Sequence, residues 1–311
     1  NLFKIEMEFK MKVFSSKILF SKPYLMNLIV RLLFILVLMG SLSVRLNAKT
    51  LYVIADINEQ SQITIIAYDV QGSTIVEQTR HSIPKEQGGA CSMAYDSENE
   101  FIFFASEYSD VIQIINGKTF TLESSISVPG TALRAGMVYD PNRSKLYISQ
   151  RNSNKLYVYN WDANLKTLTP ETGNPFYLFN ASMWALNLDL NNNILYVSNG
   201  TNVINKYYTS NWTSAGTITL QNRIKVIGFD IDMLRGSIYT GGSYLSNRFF
   251  GKYNITTGAL IRSHYVPQLQ DGAQYEGVMG VCVDNETGYV YITTGANSNP
   301  AGDRVRVFDS A

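Results

Sequence analysis

From residue 50 onward the chain alternates short apolar runs with short polar breaks, and the alternation itself recurs. Residues 138–160 read VYDPNRSKLYISQRNSNKLYVYN and hold one cycle of it. KLYIS and KLYVY face each other across QRNSN, and a third run ends at Asp140 just before them. Apolar runs of four to six residues bounded by Asn, Asp, Gly, Ser and Pro predict β-strands joined by tight turns. No stretch after residue 50 keeps a helical apolar period long enough to compete.

The phrase has a fixed form. A run of small, large apolar, small and apolar residues closes on Asp in SMAYD (Asp96), GMVYD (Asp140), ALNLD (Asp189), VIGFD (Asp230) and GVCVD (Asp284). A polar turn follows, then a run with a central aromatic residue: Phe103, Tyr147, Tyr196, Tyr239 and Tyr291. The spacing from Asp to aromatic is 7 in four cases and 9 from Asp230 to Tyr239. Asp suits the end of the first strand because its carboxylate accepts from backbone N–H groups two residues on and starts the turn. The five aspartates therefore read as structural. A third apolar run and a fourth, often closed by proline (Pro84, Pro129, Pro267), complete a unit of four strands.

Between the second-strand aromatics the unit measures 51 residues (Tyr52 to Phe103), then 44, 49, 43 and 52. Four strands per 40–50 residues predict the blade of a β-propeller, an all-β fold of four-stranded antiparallel blades. One blade leaves two faces open, and its ring neighbours cover them. TLYVIAD, ITIIAYD and STIVEQTRHSIP supply the second, third and fourth strands of the first blade, and GVCVD, YVYITT and RVRVFD the first three of the last. That makes 22 strands, two short of six full blades, so the expectation is a six-bladed ring, with seven blades an open count, left incomplete within a C-terminally truncated sequence.

Phrases such as GMVYDPNRSKLYISQRNSNKLYVYN resemble the repeats of the YVTN, NHL and lactonase-type propellers, in which a strand ending in Asp leads through a turn to a Leu-Tyr-Val run and an Asn-containing loop. The resemblance covers residues 50–311 and implies the propeller fold. For function it implies two classes, because such repeats serve enzymes and non-enzymatic scaffolds alike. Lactonase-like and lyase-like members are expected to place His, Glu, Asp or Asn around the channel, often with a divalent metal such as Ca. No motif in this chain matches theirs residue by residue.

The first 48 residues depart from the pattern. Residues 1–25 read as an upstream extension and 26–48 as a signal peptide, with Arg31 as the positive charge, Leu32–Val44 as the apolar stretch and Leu46-Asn47-Ala48 as the cleavage site. The uninterrupted apolar part falls short of the roughly 20 residues that span a bilayer. The expectation is a secreted or extracytoplasmic protein, in the periplasm or at the cell surface, with a propeller domain over 49–311 and no membrane span beyond the signal. Lys and Arg number 26 against 25 Asp and Glu, without the basic surplus that nucleic-acid binding requires.

Candidate chemistry is sparse. Only two cysteines occur, Cys91 and Cys282, with no CxxC, so a disulfide framework and a thiolate zinc site are excluded. Cys282 falls in the small slot of its first strand and reads as a core residue. Both histidines sit in His-x-x-Pro, at 81 and 264, on fourth strands away from the channel. They read as surface-facing. No nucleophile-elbow, zinc, phosphate-loop or EF-hand motif is present.

A functional face, if loops carry one, lies where chain segments cross into each first strand and where second strands turn into third ones, because these meet at one mouth of the channel. Arg134, Trp184, Arg223, Lys225 and Glu276 enter first strands there, and Arg151, Arg248 and Asp303 lie on the neighbouring loops. The cations attract an anionic ligand and Trp184 offers a stacking surface. Two readings stand. The first is a non-enzymatic scaffold for a protein or glycan partner, with no cofactor. The second is a lactonase- or lyase-like enzyme with a divalent metal, Glu276 being the first candidate ligand.

Overall fold

Each apolar phrase becomes one antiparallel sheet. The computed structural model describes residues 49–55, 62–84, 90–106, 108–131, 134–222, 225–244, 247–265, 276–296 and 304–309. The extension and signal peptide read above (1–48) lie outside the described residues. The unit that begins at Lys49 is all β among the described residues, with six sheets arranged as a six-bladed propeller.

Blade I holds Lys49–Ala55, Gln62–Gln71 and Thr74–Pro84 in that order. Blade II runs outward from Ala90–Asp96 through Phe101–Ser106 and Val111–Asn116 to Leu122–Ser127. Blade III follows with Arg134–Asp140, Lys145–Gln150, Lys155–Asp162 and Thr167–Pro170, plus a two-residue strand, Phe176–Tyr177, that pairs with Lys155–Leu156. Blade IV comprises Leu186–Asp189, Ile194–Ser198, Val203–Tyr208 and Ser214–Thr219. Blade V comprises Val226–Asp232, Ser237–Tyr244, Asn247–Asn254 and Leu260–Tyr265. Glu276–Val283, Tyr289–Ala296 and Arg304–Asp309 make blade VI. Phe176–Tyr177 is the one described strand that the 22 expected ones did not include.

The second strands explain why their sequence reads as a continuous apolar run. Phe101–Ser106 is buried at every position, because a neighbouring blade covers each of its faces.

Aspartates start the turns of blades II, IV, V and VI, whereas the Asp140 carboxylate of blade III takes the Arg143 guanidinium and the Tyr147 hydroxyl. Asp96 Oδ1 accepts from the Glu98 and Asn99 N–H groups at 3.1 and 3.2 Å, and Asp189 Oδ1 from Asn191 and Asn192 at 3.0 and 3.1 Å. The residue just before the second strand then takes positive φ: Glu100 (59°), Ser144 (50°), Asn193 (57°), Gly236 (59°) and Gly288 (83°). One sequence assignment is corrected. In blade V the turn-starting carboxylate is Asp232, which accepts the Arg235 N–H at 2.9 Å, and not Asp230. The 7-residue spacing to Tyr239 is thereby restored, and the apparent 9 came from aligning the phrase two residues early. Asp230 instead fills the small slot.

The seams between blades are aromatic. Tyr52 of blade I lies 5.1 Å from Tyr95 and 6.0 Å from Phe120 of blade II. Phe103 of blade II meets Tyr139 and Trp161 of blade III at 5.5 and 4.9 Å, and Tyr147 of blade III meets Trp212 of blade IV at 5.9 Å. Trp161 also donates its indole N–H to Asp96 at 3.1 Å, tying a seam to a turn. Phe250 of blade V stacks on Phe308 of blade VI at 5.1 Å. Both histidines belong to these seams. His81 stacks on Phe120 at 4.7 Å and His264 lies 5.3 Å from Phe308, so neither simply faces solvent.

Blade VI docks on blade I in the way that blade I docks on blade II. The Tyr52 hydroxyl donates to the Gly117 carbonyl at 3.1 Å, in the turn after the third strand of blade II. The Tyr291 hydroxyl donates to the Gly72 carbonyl at 3.1 Å, in the matching turn of blade I. Lys49 adds ion pairs to Asp284 at 2.5 Å and Glu286 at 2.8 Å. Six blades therefore close the ring.

Three substitutions check this frame. Phe103→Ala empties a fully buried seam position and should cost about 3–5 kcal/mol in chemical denaturation. Tyr52→Phe and Tyr291→Phe each remove one hydrogen bond, and each should cost about 1 kcal/mol. A Tyr291→Phe chain as stable as the wild type would show that the Tyr291–Gly72 hydrogen bond contributes nothing to the last seam.

Candidate functional site

The ring presents two ends. One carries the aspartate turns. At the other, second strands finish and the chain crosses from an outer strand into the next inner one. Trp184 lies on such a crossing, immediately before the inner strand of blade IV.

Its backbone is clamped from two blades. The Trp184 N–H donates to the Ser198 carbonyl at 2.9 Å, and the Ser149 hydroxyl of blade III donates to the Trp184 carbonyl at 2.5 Å. The Ala185 N–H donates to the Ser198 hydroxyl at 2.9 Å. Gly136 on the inner strand of blade III comes so close that an added Cβ would stand 2.7 Å from the Trp184 carbonyl oxygen. Upstream, the Met183 N–H donates to the Ser153 carbonyl at 3.0 Å. The Tyr207 hydroxyl donates to the Leu178 carbonyl, also at 3.0 Å.

The indole is half-buried, and its Nε1 edge lies against Gly200, where any side chain would overlap the ring. Gly200 also has φ of 71°, so both space and backbone favour glycine there. The Arg151 guanidinium carbon stands 5.5 Å from the indole centroid and the Lys225 ammonium 4.7 Å. Arg151 comes from blade III and Lys225 from the approach to blade V, so the tryptophan gathers charge from both sides of its own blade. The Val226 N–H donates to the Thr201 carbonyl at 3.2 Å, which holds the Lys225 segment on blade IV. Each cation–π contact contributes about 0.5–1 kcal/mol when exposed. Among the described residues Lys225 has no ion-pair partner.

Of the eight candidates read from the sequence, Trp184, Arg151 and Lys225 therefore come together. Arg134 opens the inner strand of blade III opposite Gln150, at the same end as Arg151. Glu276 opens the inner strand of blade VI opposite Ala296, and Arg248 pairs with Ser243 in blade V. The side chains of these three, and the whole of Arg223, Asp303 and the 297–303 loop, lie outside the described residues. The sequence reading missed the clamp. Its signal was present, since the second-strand runs end in a hydroxyl residue at Ser106, Ser149 and Ser198.

A second polar group lines the inner wall. Asn187, Asp230 and Cys282 stand opposite the second-strand aromatics Tyr196, Tyr239 and Tyr291 in three successive blades. The Asp230 carboxylate accepts the Asn187 side-chain amide of blade IV, its neighbour Ile231 N–H at 2.8 Å and the Val283 N–H of blade VI at 2.7 Å. It is a clip across three blades. Burial pushes its pKa up to about 6, with the Asp232 charge adding to the rise while the hydrogen bonds oppose it. Cys282 is not the buried core residue its slot implied, since solvent reaches it. Desolvation among the inner strands nonetheless pushes its thiol up to about 12, with Asp230 and Asp284 adding, so it stays protonated at neutral pH and is a poor nucleophile. Burial, with Arg262 adding, holds His264 below the ordinary imidazole value. No group of three or more His, Cys, Asp and Glu among the described residues is placed to hold a metal ion.

Comparison with known proteins bears on the fold alone. No family model matches the chain, and no curated protein matches it by sequence. Among solved structures it is similar to a Kuenenia stuttgartiensis hydrazine synthase chain, with TM-score 0.52 and 12% identity over 74% of this chain. The match covers 65% of that chain, less than two thirds of its length.

The raised Asp230 carboxyl gives a signed pH prediction. The folded state takes up its proton at higher pH than the unfolded chain, so the Asp230 contribution to stability grows as pH falls from about 6 towards 3.8. The stability of the wild type relative to Asp230→Asn should accordingly increase between pH 7.5 and pH 5, read by denaturant melts at each pH. A difference that is constant or shrinks would contradict the burial of this carboxylate.

Proposed function

We propose that the chain is an exported, non-enzymatic binding scaffold of the YVTN/NHL type, presenting one mouth of its ring to a protein or glycan partner at the cell surface or in the periplasm. The observation that carries this reading is Trp184, clamped through its backbone by two blades and flanked by Arg151 and Lys225. A held aromatic plate with adjacent positive charge recognises a surface, since it loses little conformational freedom on binding. It does not supply a proton acceptor at neutral pH, because tryptophan, arginine and lysine are all donors there. The apolar segment at 32–44 supports export. Among the described residues no helix is long and apolar enough to cross a membrane.

The test pairs capture with turnover. Purified protein and its Trp184→Ala variant are applied to a glycan array and to solubilised envelope proteins of the producing cell, with melting followed in parallel. Capture by the wild type that falls at least tenfold in the variant, with melting within a few degrees, is the expected result. Stoichiometric divalent metal, together with lactone or polysaccharide turnover that Glu276→Ala abolishes, would replace the scaffold by the enzymatic reading.

A further inference from the structure

We infer that Asn199-Gly200 is a self-modifying site, where loss of the Asn199 side-chain amide as ammonia loosens the loop that holds Trp184 and the Lys225 segment. It rests on the binding reading above only for its effect on partner capture. The chain contains two Asn-Gly pairs, Asn116-Gly117 and Asn199-Gly200. In such a pair the glycine nitrogen, unhindered by a Cβ, attacks the Asn side-chain carbonyl carbon. A new C–N bond closes a five-membered imide, the C–N bond of the side-chain amide breaks, and ammonia leaves with the glycine N–H proton. Water then opens the imide at either carbonyl, giving aspartate or isoaspartate.

The fold treats the two pairs differently. Both side chains fold back over the following peptide. Asn116 Oδ1 accepts the Lys118 and Thr119 N–H groups at 2.9 and 3.0 Å, and Asn199 Oδ1 accepts the Thr201 N–H at 3.1 Å and the Thr201 hydroxyl at 2.5 Å. Donors on that oxygen stabilise the charge it takes up when the carbon is attacked. The nucleophiles differ. The Gly117 N–H donates to the Glu100 carbonyl at 2.7 Å, and the Asn116 N–H and carbonyl close the same turn on Thr121 and Phe120. The Gly200 N–H has no hydrogen-bond partner among the described residues, and Asn199, Gly200 and Thr201 all reach solvent. Attack at Asn199 therefore gives up no backbone hydrogen bond among the described residues, and water can open the imide.

The place of the pair gives the reaction its effect. Gly200 lies against the indole edge, with φ of 71° and no room for a Cβ. The Thr201 carbonyl accepts the Val226 N–H at 3.2 Å and so holds the Lys225 segment. Isoaspartate lengthens the backbone by a methylene at this contact, and both products put a carboxylate where a neutral amide stood.

The experiment ages the folded chain in mildly alkaline buffer beside the same chain unfolded in urea. Conversion at each pair is read by peptide mass, and isoaspartate by methyltransferase labelling. In urea the two pairs should convert at similar rates, because only the dipeptide acts. In the folded chain Asn199 should convert about tenfold faster than Asn116, or more. Hydrogen exchange of the Val226 amide should then quicken severalfold on ageing, while an Asn199→Gln chain keeps its own starting rate. A folded-state ratio no higher than the ratio in urea overturns the inference, as does conversion that leaves Val226 exchange unchanged. Capture that depends on Trp184 in a chain without preferential conversion removes this inference alone. Conversion and faster exchange with capture undiminished keep the inference and remove Trp184 from the scaffold reading.

Discussion

The structure depends on one contact made again and again: the aromatic residue in the middle of a second strand packs into the next blade. A blade has two apolar faces and no interior of its own, so its stability is borrowed from its neighbours. Tyr52, Phe103 and Tyr147 each insert into the following blade, and Trp161 links such a seam to the Asp96 turn. Because the same contact recurs between blades VI and I through Tyr291 and Gly72, the first and last blades meet without a special device. The repeat in the sequence is the chemical record of that requirement.

The candidate site inherits its rigidity from the same geometry. At the end of its second strand Ser149 of blade III reaches the segment entering the next blade, and Ser198 of blade IV holds the same segment on its own blade around Trp184. The Trp184 segment is thereby stitched to blades III and IV. A tryptophan held in this way keeps Arg151 and Lys225 at fixed places, and charge collected from separate blades becomes one surface. The inner wall shows the same logic, since the Asp230 carboxylate joins three inner strands.

Much of the fold was legible in the chain, because a propeller repeats its instructions. The Asp turns, the aromatic slots and the number of blades all follow from local periodicity. The error at Asp230 has a physical reason: two acidic residues, Asp230 and Asp232, stand two apart on one strand, and only three-dimensional pairing shows that Asp232 starts the turn. The histidines were misjudged for a similar reason, since outer strands still pack against the next blade, as His81 does on Phe120. The site was legible only as a set of loop ends. That Trp184, Arg151 and Lys225 converge depends on spacing between blades, and sequence distance does not encode it.

Six blades close into one ring with blade VI seated on blade I. The measurement that tests it most directly is photocrosslinking from p-benzoylphenylalanine placed at Tyr289, whose ring lies 3.4 Å from the Cβ position of Gly72. A ring closed in this way gives a crosslink within one chain to the segment Gln71–Ser73, identified by peptide mass. Crosslinks formed only between chains, or only to residues of blade V, would contradict it.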